Sequence, residues 1–171
     1  MFMQEYSIRI YPDPVLRRET RCVETFDQEL VDLAAEMEKI MFANDGVGLA
    51  APQIGLSLKL AVVFYEGVLY HLINPEIISS NGEDYMEEGC LSFPGIYGKV
   101  RRPLKVSVKT FDLNGNQQIL HAEGFLARAF SHEIDHLNGR LLIDHFSPMR
   151  KNLARKKLFR LNREKDLDRD E

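Results

Sequence analysis

Few patterns constrain a fold as tightly as the run His132-Glu133-Ile134-Asp135-His136. It lies in a segment, about Phe125 to Leu137, whose apolar residues recur at helical spacing and which Asn138-Gly139 stops. Residues four apart on a helix stand about 5–6 Å apart on one face, so the two imidazoles converge on one point. A helix with such a face must turn it into a pocket that other elements wall. Glu133 points slightly aside, within reach of a water at that point but poorly placed to bind a metal itself. An uncorrelated chain with five His and 15 Glu in 171 residues would hold about 0.01 such matches. The competing explanation is an amphipathic helix whose histidines find partners in a core. It is weakened by Phe125 and Ala129, which extend the same stripe as an apolar wall. The pattern favours a metal-dependent hydrolase without specifying which.

The rest of the chain has to build those walls. At 171 residues a chain buries enough surface for one core without disulfides or a structural metal. From Asp27 to Asn44 the residues Leu30, Leu33, Ala34, Met37, Ile40 and Met41 predict a helix, started by Thr25 or Asp27 and closed by Gly46. Strands are predicted at Leu58 to Tyr65 and Val68 to Ile73, joined at Glu66-Gly67. Leu104, Val106 and Val108 alternate with polar residues, and Asn114-Gly115 turns that strand into Gln117 to Ala122. Tyr11-Pro12-Asp13-Pro14 is turn-like, with extended chain before it. Ser147 to about Asn162 reads as a last helix, and Asp166 to Glu171 as a frayed end. The expected class is α+β: antiparallel β-sheets around a central HExxH helix, with an N-terminal and a C-terminal helix. Residues 1–148 would carry the catalytic metallohydrolase part, and 149–171 a basic C-terminal helix and tail of the same domain.

No apolar run approaches the roughly 20 residues of a membrane helix, and Met1 to Ile10 lacks the apolar core of a secretory signal. Two cysteines, Cys22 and Cys90, are read as free thiols of a cytosolic protein. The formal net charge of −4 argues at first against a nucleic-acid partner. Its distribution changes that reading. Residues 1–149 hold 13 basic and 21 acidic side chains, whereas 150–171 hold 9 and 5, so any RNA contact is confined to the tail.

Two histidines leave a metal site incomplete, and the only later histidine, His145, lies beyond the Gly139 stop. Cys90, in Glu87-Glu88-Gly89-Cys90-Leu91-Ser92, is a candidate third donor, because a thiolate binds borderline divalent ions strongly. Its plainer alternative is a small buried apolar residue, the reading given to Cys22. A third stretch, Gly46-Val47-Gly48-Leu49-Ala50-Ala51-Pro52-Gln53-Ile54-Gly55, has small side chains suited to the close approach of another chain. Its spacing fits no phosphate loop.

In this order GVGLAAPQ, EGCLS and HEIDH resemble the three signature motifs of the peptide deformylases. The likeness extends from IRIYPDPVLR through the Asn-Gly turn to HLNGRLLID, covering about residues 5 to 147. That family removes the formyl group from the initiator methionine of new bacterial or organellar polypeptides, releasing formate. The resemblance makes Cys90, His132 and His136 the metal ligands and leaves the fourth position to the water that attacks. It implies Glu133 as general acid and base, and the Gln53 amide with the Leu91 N–H as oxyanion hole. Substrate would lie as an added strand against Val47-Gly48 and Gly89, with its methionine among Val47, Met86, Phe125, Ala129 and the His132 ring. Glu88 and Arg102 would pair behind the cysteine loop. One divalent ion per chain is implied, Fe(II) first, with zinc, nickel or cobalt able to replace it. Partners would be N-formylmethionyl nascent peptides in a bacterial cytoplasm, with no membrane and no DNA.

The tail from Arg150 to Arg163 has seven basic residues and no acid, with Leu153, Ala154, Leu158 and Leu161 expected to share one side. It is either a solvated helix packed on the body or a ribosome contact. Two rivals stand beside the deformylase reading. A small metallopeptidase would need a further zinc ligand, and a structural metal module would need a closed site, most simply through Cys22.

Overall fold

A computed structural model describes residues 5–169. Helix α1 spans Gln28–Ala43, and Asp27 caps it by accepting a hydrogen bond from the Leu30 N–H at 3.1 Å. Strand β1, Gly48–Ala50, follows, then β2, Leu60–Tyr65, and β3, Val68–Asn81. Strands β4, Asp84–Gly89, and β5, Tyr97–Arg102, form a hairpin of their own. Strands β6, Lys105–Phe111, and β7, Gln117–Glu123, lead into α2, Phe125–Leu137, and α3, Pro148–Leu167, ends the fold. The larger sheet has the order β1-β2-β3-β6-β7, every neighbouring pair antiparallel. Mixed helix and antiparallel sheet is the class expected from the sequence.

Strand β2 shows why the core forms where it does. Leu60, Ala61, Val62 and Val63 are fully buried, which requires cover on both faces of the sheet. Ala61 and Val63 pack with Phe130, Ile134 and Leu137 of α2, while Leu60 and Val62 pack with Leu30, Met37 and Met41 of α1. The turn to β3 has positive φ at both Glu66 and Gly67, the two-residue geometry that matches strand twist. Beyond Ile73, where the sequence reading ends the strand, β3 continues to Asn81 by way of two register irregularities. Asn74, at φ +49°, makes the first possible, and its side chain both donates to and accepts from the Val23 backbone.

Residues 5–10, before the turn at Tyr11 and a short three-residue-per-turn helix at Pro14–Arg17, form neither helix nor strand, and this segment is tied to two motif loops. The Arg9 N–H donates to the Gln53 carbonyl at 2.7 Å, and the Tyr11 N–H to the Ser92 carbonyl at 3.0 Å. Residues 1–4, the start of the segment read as lacking a signal, lie outside the described residues, as do 170 and 171 of the tail.

Helix α3 departs from the sequence reading twice. It runs on to Leu167, because no glycine or proline interrupts it. Its packed stripe is Ala154 and Leu158, whereas Leu153 is 60% exposed. One residue is a 100° step on a helix, so Leu153 cannot share the face that Ala154 buries. Met149, Leu153 and Phe159 are therefore exposed among the tail's cations.

A three-residue-per-turn helix, Leu142–His145, joins α2 to α3 and is anchored by Asp144. That carboxylate pairs with both terminal nitrogens of Arg17, accepts from the Leu141 N–H at 2.8 Å and meets Lys151 Nζ at 3.3 Å. Burial opposes its charge, but the Arg17 bonds prevail and hold its pKa below the ordinary carboxylate value. Its stabilisation is then fully present above the unfolded value near pH ~4 and lost as pH falls through the lower folded value. Asp144→Asn is expected to lower Tm by roughly 5 °C at neutral pH. It should also flatten the fall of Tm below pH ~4, so thermal melts from acid to neutral pH check both effects. An unchanged melting profile would show the anchor to be idle.

Candidate active site

The hairpin β4–β5 and helix α2 bring the chemistry together. Cys90 follows β4 directly, and α2 presents His132 and His136 from one face. The donor atoms of Cys90, His132 and His136 all lie within 4.8 Å of one another, and Cys90 Sγ is 3.3 Å from His136 Nε2. Tetrahedral bonds of typical zinc lengths would place a sulfur and a nitrogen about 3.6 Å apart, so the donor set fits a metal ion. Cys22 is exposed and takes no part, and His145 hydrogen-bonds Asp135 instead. Neither rival reading gains its extra ligand among the described residues.

Protonation follows from the same packing. Burial, helped by the charge on His132, pushes the His136 pKa well below its ordinary value, so the ring is a neutral donor. Burial also disfavours charge on His132, but Cys90 and Glu88 outweigh it and raise that ring well above the ordinary histidine value. Glu133 is 4% exposed, and burial lifts it to about 7 against the opposing pull of His132 and Arg102. A cation among the neighbouring donors would draw it down again. Its Oε2 has no hydrogen-bond partner among the described residues, an expensive condition for a buried carboxyl unless a reacting group comes to it. The strand facing it must be bare: a Cβ on Gly48 would collide with the Glu133 carboxylate.

Gln53 is held so that its amide orientation is determined. Its Oε1 accepts from the Ala50 N–H at 2.9 Å, which turns Nε2 toward Cys90 Sγ at 3.5 Å and Ser92 Oγ at 3.2 Å. The edge of β1 is available too. The Val47 carbonyl is used by the Phe64 N–H at 2.8 Å, so by strand alternation the polar groups of Gly48 face away from β2.

These residues line a cavity of about 700 Å³, which takes in Val47, Gly48, Gln53, Gly89, Cys90, Leu91, Phe125, Ala129, His132 and Glu133. Of the residues named from the sequence for the methionine pocket, Met86 does not line it and is 46% exposed. Tyr97 does line it, with its ring lying against Gly89 so closely that a Cβ there would sit 2.7 Å from the ring.

Behind the cavity lies a buried ion network. Arg102 Nε meets Glu88 Oε1 at 2.9 Å, its second terminal nitrogen meets Oε2 at 3.1 Å, and its first meets Asp135 Oδ2 at 2.5 Å. Both Arg102 and Glu88 are nearly inaccessible, so this is a buried ion pair and not a surface one. Burial would raise Glu88, yet the neighbouring His132 and the Arg102 bonds hold it at about 2. Arg128 completes the cage. Its terminal nitrogens bond the Val100 and Asp84 carbonyls at 2.8 and 2.9 Å, and one lies 3.5 Å from Glu88. Sequence reasoning missed Arg128, Asp135 and His145. The signal for Arg128 was its place one helical turn before His132, on a stripe otherwise apolar.

Two imidazoles and a thiol turned toward one point, with a buried acid beside them, make this a hydrolase site of the HExxH kind. Comparison narrows the class. The model of the Polypeptide deformylase family matches residues 5–152. The peptide deformylase of Halothermothrix orenii is 51% identical over 144 residues, 83% of this chain and 94% of that one. That of Thermotoga maritima is 43% identical over 159 residues, 92% and 97% of the two chains. A crystal structure of a peptide deformylase from Legionella pneumophila matches with TM-score 0.90 at 45% identity, covering 94% of this chain and 97% of that one. The chain belongs to the peptide deformylase family, metal-dependent hydrolases that remove the N-formyl group from nascent peptides.

Proposed function

We propose that this enzyme deformylates the initiator formyl-methionine of nascent polypeptides with Glu133 as general acid and base, in the cavity between β1, the cysteine loop and α2. The observation that carries the reading is the buried Glu133 carboxyl, its Oε2 without a partner among the described residues, beside the Cys90, His132 and His136 donor set. A divalent ion held by those three residues would polarise the formyl carbonyl and acidify the attacking water, and iron is the first candidate by family resemblance. Glu133 accepts the proton of the water that adds to the formyl carbon. It returns that proton to the amide nitrogen as the C–N bond breaks, which leaves formate and a free amine. Negative charge on the former formyl oxygen is met by the Gln53 Nε2 hydrogens, already aimed by Ala50, and by the Leu91 N–H. The peptide lies along the Gly48 edge and Gly89, adding a strand whose backbone bonds accept varied downstream sequence. The methionine side chain goes toward Val47, Phe125, Ala129 and the His132 ring. Anaerobic purification with metal analysis and a formate-release assay on formyl-Met-Ala tests the reading. Metal-loaded protein that releases no formate, or cleaves internal peptide bonds instead, would overturn it.

Residues 1–148 serve as the catalytic body and 149–171 as its appendage, acting in a bacterial cytoplasm. No described helix is long and apolar enough to cross a membrane. The exposed face of α3 bears Lys156, Arg160 and Arg163 beside Leu153 and Phe159, which suits contact with ribosomal RNA or protein. Truncation is a poor test, because α3 buries Leu158, worth about 2 kcal/mol to the fold. The triple change K156E/R160E/R163E should leave formyl-Met-Ala turnover intact and lower ribosome co-sedimentation at least tenfold. Equal co-sedimentation would reject the ribosome contact.

A further inference from the structure

We propose that His145 is a positioning residue for the metal-binding histidines, acting through Asp135, Arg102 and Glu88. The inference rests on the metal-centre reading above. His145 ends the short helix Leu142–His145, with its side chain 10% exposed, and its Nε2 lies 2.8 Å from Asp135 Oδ2. That same oxygen takes Arg102 at 2.5 Å. The remaining guanidinium nitrogens grip both oxygens of Glu88, and Glu88 Oε2 faces His132 Nδ1 at 3.8 Å. Five side chains thus run in sequence from the base of α3 to the donor cluster. Asp135 Oδ2 is shared between two donors. Removing His145 leaves Arg102 alone to satisfy it, which draws the guanidinium from Glu88 and loosens the carboxylate behind His132.

The anchor is rigid, which lets it position anything. Leu142 and Ile143 are almost fully buried, and Asp144 is tied to Arg17 and to the Leu141 N–H. The ring cannot follow Asp135 if Asp135 shifts. The role needs an N–H donor reaching that oxygen, whatever the charge of the ring.

Cobalt(II) titration of the full-length protein, with chelator competition and visible absorption, tests this. His145→Phe is expected to bind cobalt about tenfold more weakly, with shifted or broadened bands. For formyl-Met-Ala, kcat should fall at unchanged KM. His145→Gln keeps a donor and should stay within about threefold of wild type. His145→Phe with the wild-type affinity and spectrum, even at a lower Tm, would overturn the proposal. If His145→Phe does not fold, His145→Gln is compared with His145→Asn, which is too short to reach Asp135, and equal cobalt binding by the two would overturn it. Wild-type protein that takes up no cobalt would instead overturn the metal-centre reading, and the proposal with it.

Discussion

Glu133→Ala is expected to retain its metal and lose deformylation, with kcat reduced by at least about 10³. Positioned acid–base catalysis contributes about 10²–10⁴, and in the proposed mechanism one carboxyl handles the proton twice, from water and to the leaving amine. The substitution separates catalysis from folding. Glu133 is buried with one oxygen unpartnered among the described residues, and burial lifts its pKa to about 7. Such a group costs stability rather than supplying it. The variant should melt at or above the wild-type temperature. Formate release, metal content and a thermal melt on one preparation check all three statements. Full metal with wild-type turnover would remove Glu133 from the mechanism. A large fall in Tm would show that it holds the fold instead.

Arg102→Leu should be the most damaging change outside the reacting groups. The wild-type guanidinium faces two carboxylates from a nearly inaccessible position. Its removal leaves Glu88 buried with, among the described residues, only Arg128 at 3.5 Å and His132 at 3.8 Å to compensate its charge. Breaking a buried pair from one side costs about 3–5 kcal/mol, which for a chain of this size lowers Tm by roughly 10 °C. Because Glu88 lies behind His132 and Cys90 follows two residues later, metal affinity should fall about 10–100-fold as well. Arg102→Lys should recover only part of either loss, since an ammonium cannot grip both Glu88 oxygens and Asp135 together. Melting curves and metal titrations read the two effects apart. Arg102→Leu with wild-type metal content and activity would show that the pair does not support the site.

The hairpin that carries this pair shows where sequence reading stops. The strand pairs β2–β3 and β6–β7 were legible, because β2 and the start of β3 are rich in β-branched and aromatic residues, β6 alternates aliphatic with polar ones, and Glu66-Gly67 and Asn114-Gly115 supply the turns. Strands β4 and β5, DYMEEG and YGKVRR, have no such signal. Their inward positions are Glu88, Gly98, Val100 and Arg102, so the period of two is present but written in charges and a glycine. A pattern read by hydrophobicity cannot register a strand whose buried face is an ion pair. The same reason hid Arg128 and Asp135, which read as ordinary helix polars until the fold set them against Glu88 and Arg102. Leu153 failed in the opposite direction. It is apolar, yet its step around α3 leaves it outside.

The sequence by itself marked out His132, Glu133 and His136, because helical spacing and the chemistry of each side chain are local properties, and it left Cys90 a candidate that the family resemblance singled out. It also determined α1, α2 and the apolar strand β2, whose residues state their own burial. The family resemblance implied the Glu88–Arg102 pair, and only the tertiary structure decided what else surrounds the donors. Ala50 orients the Gln53 amide, Gly48 makes room for the Glu133 carboxylate, and Arg102 joins two carboxylates from different elements. These are relations across the fold, between residues 33 positions apart for Arg102 and Asp135 and 85 apart for Gly48 and Glu133. Local chemistry specifies what a side chain can do. Distance, burial and the partner already in place specify what it does.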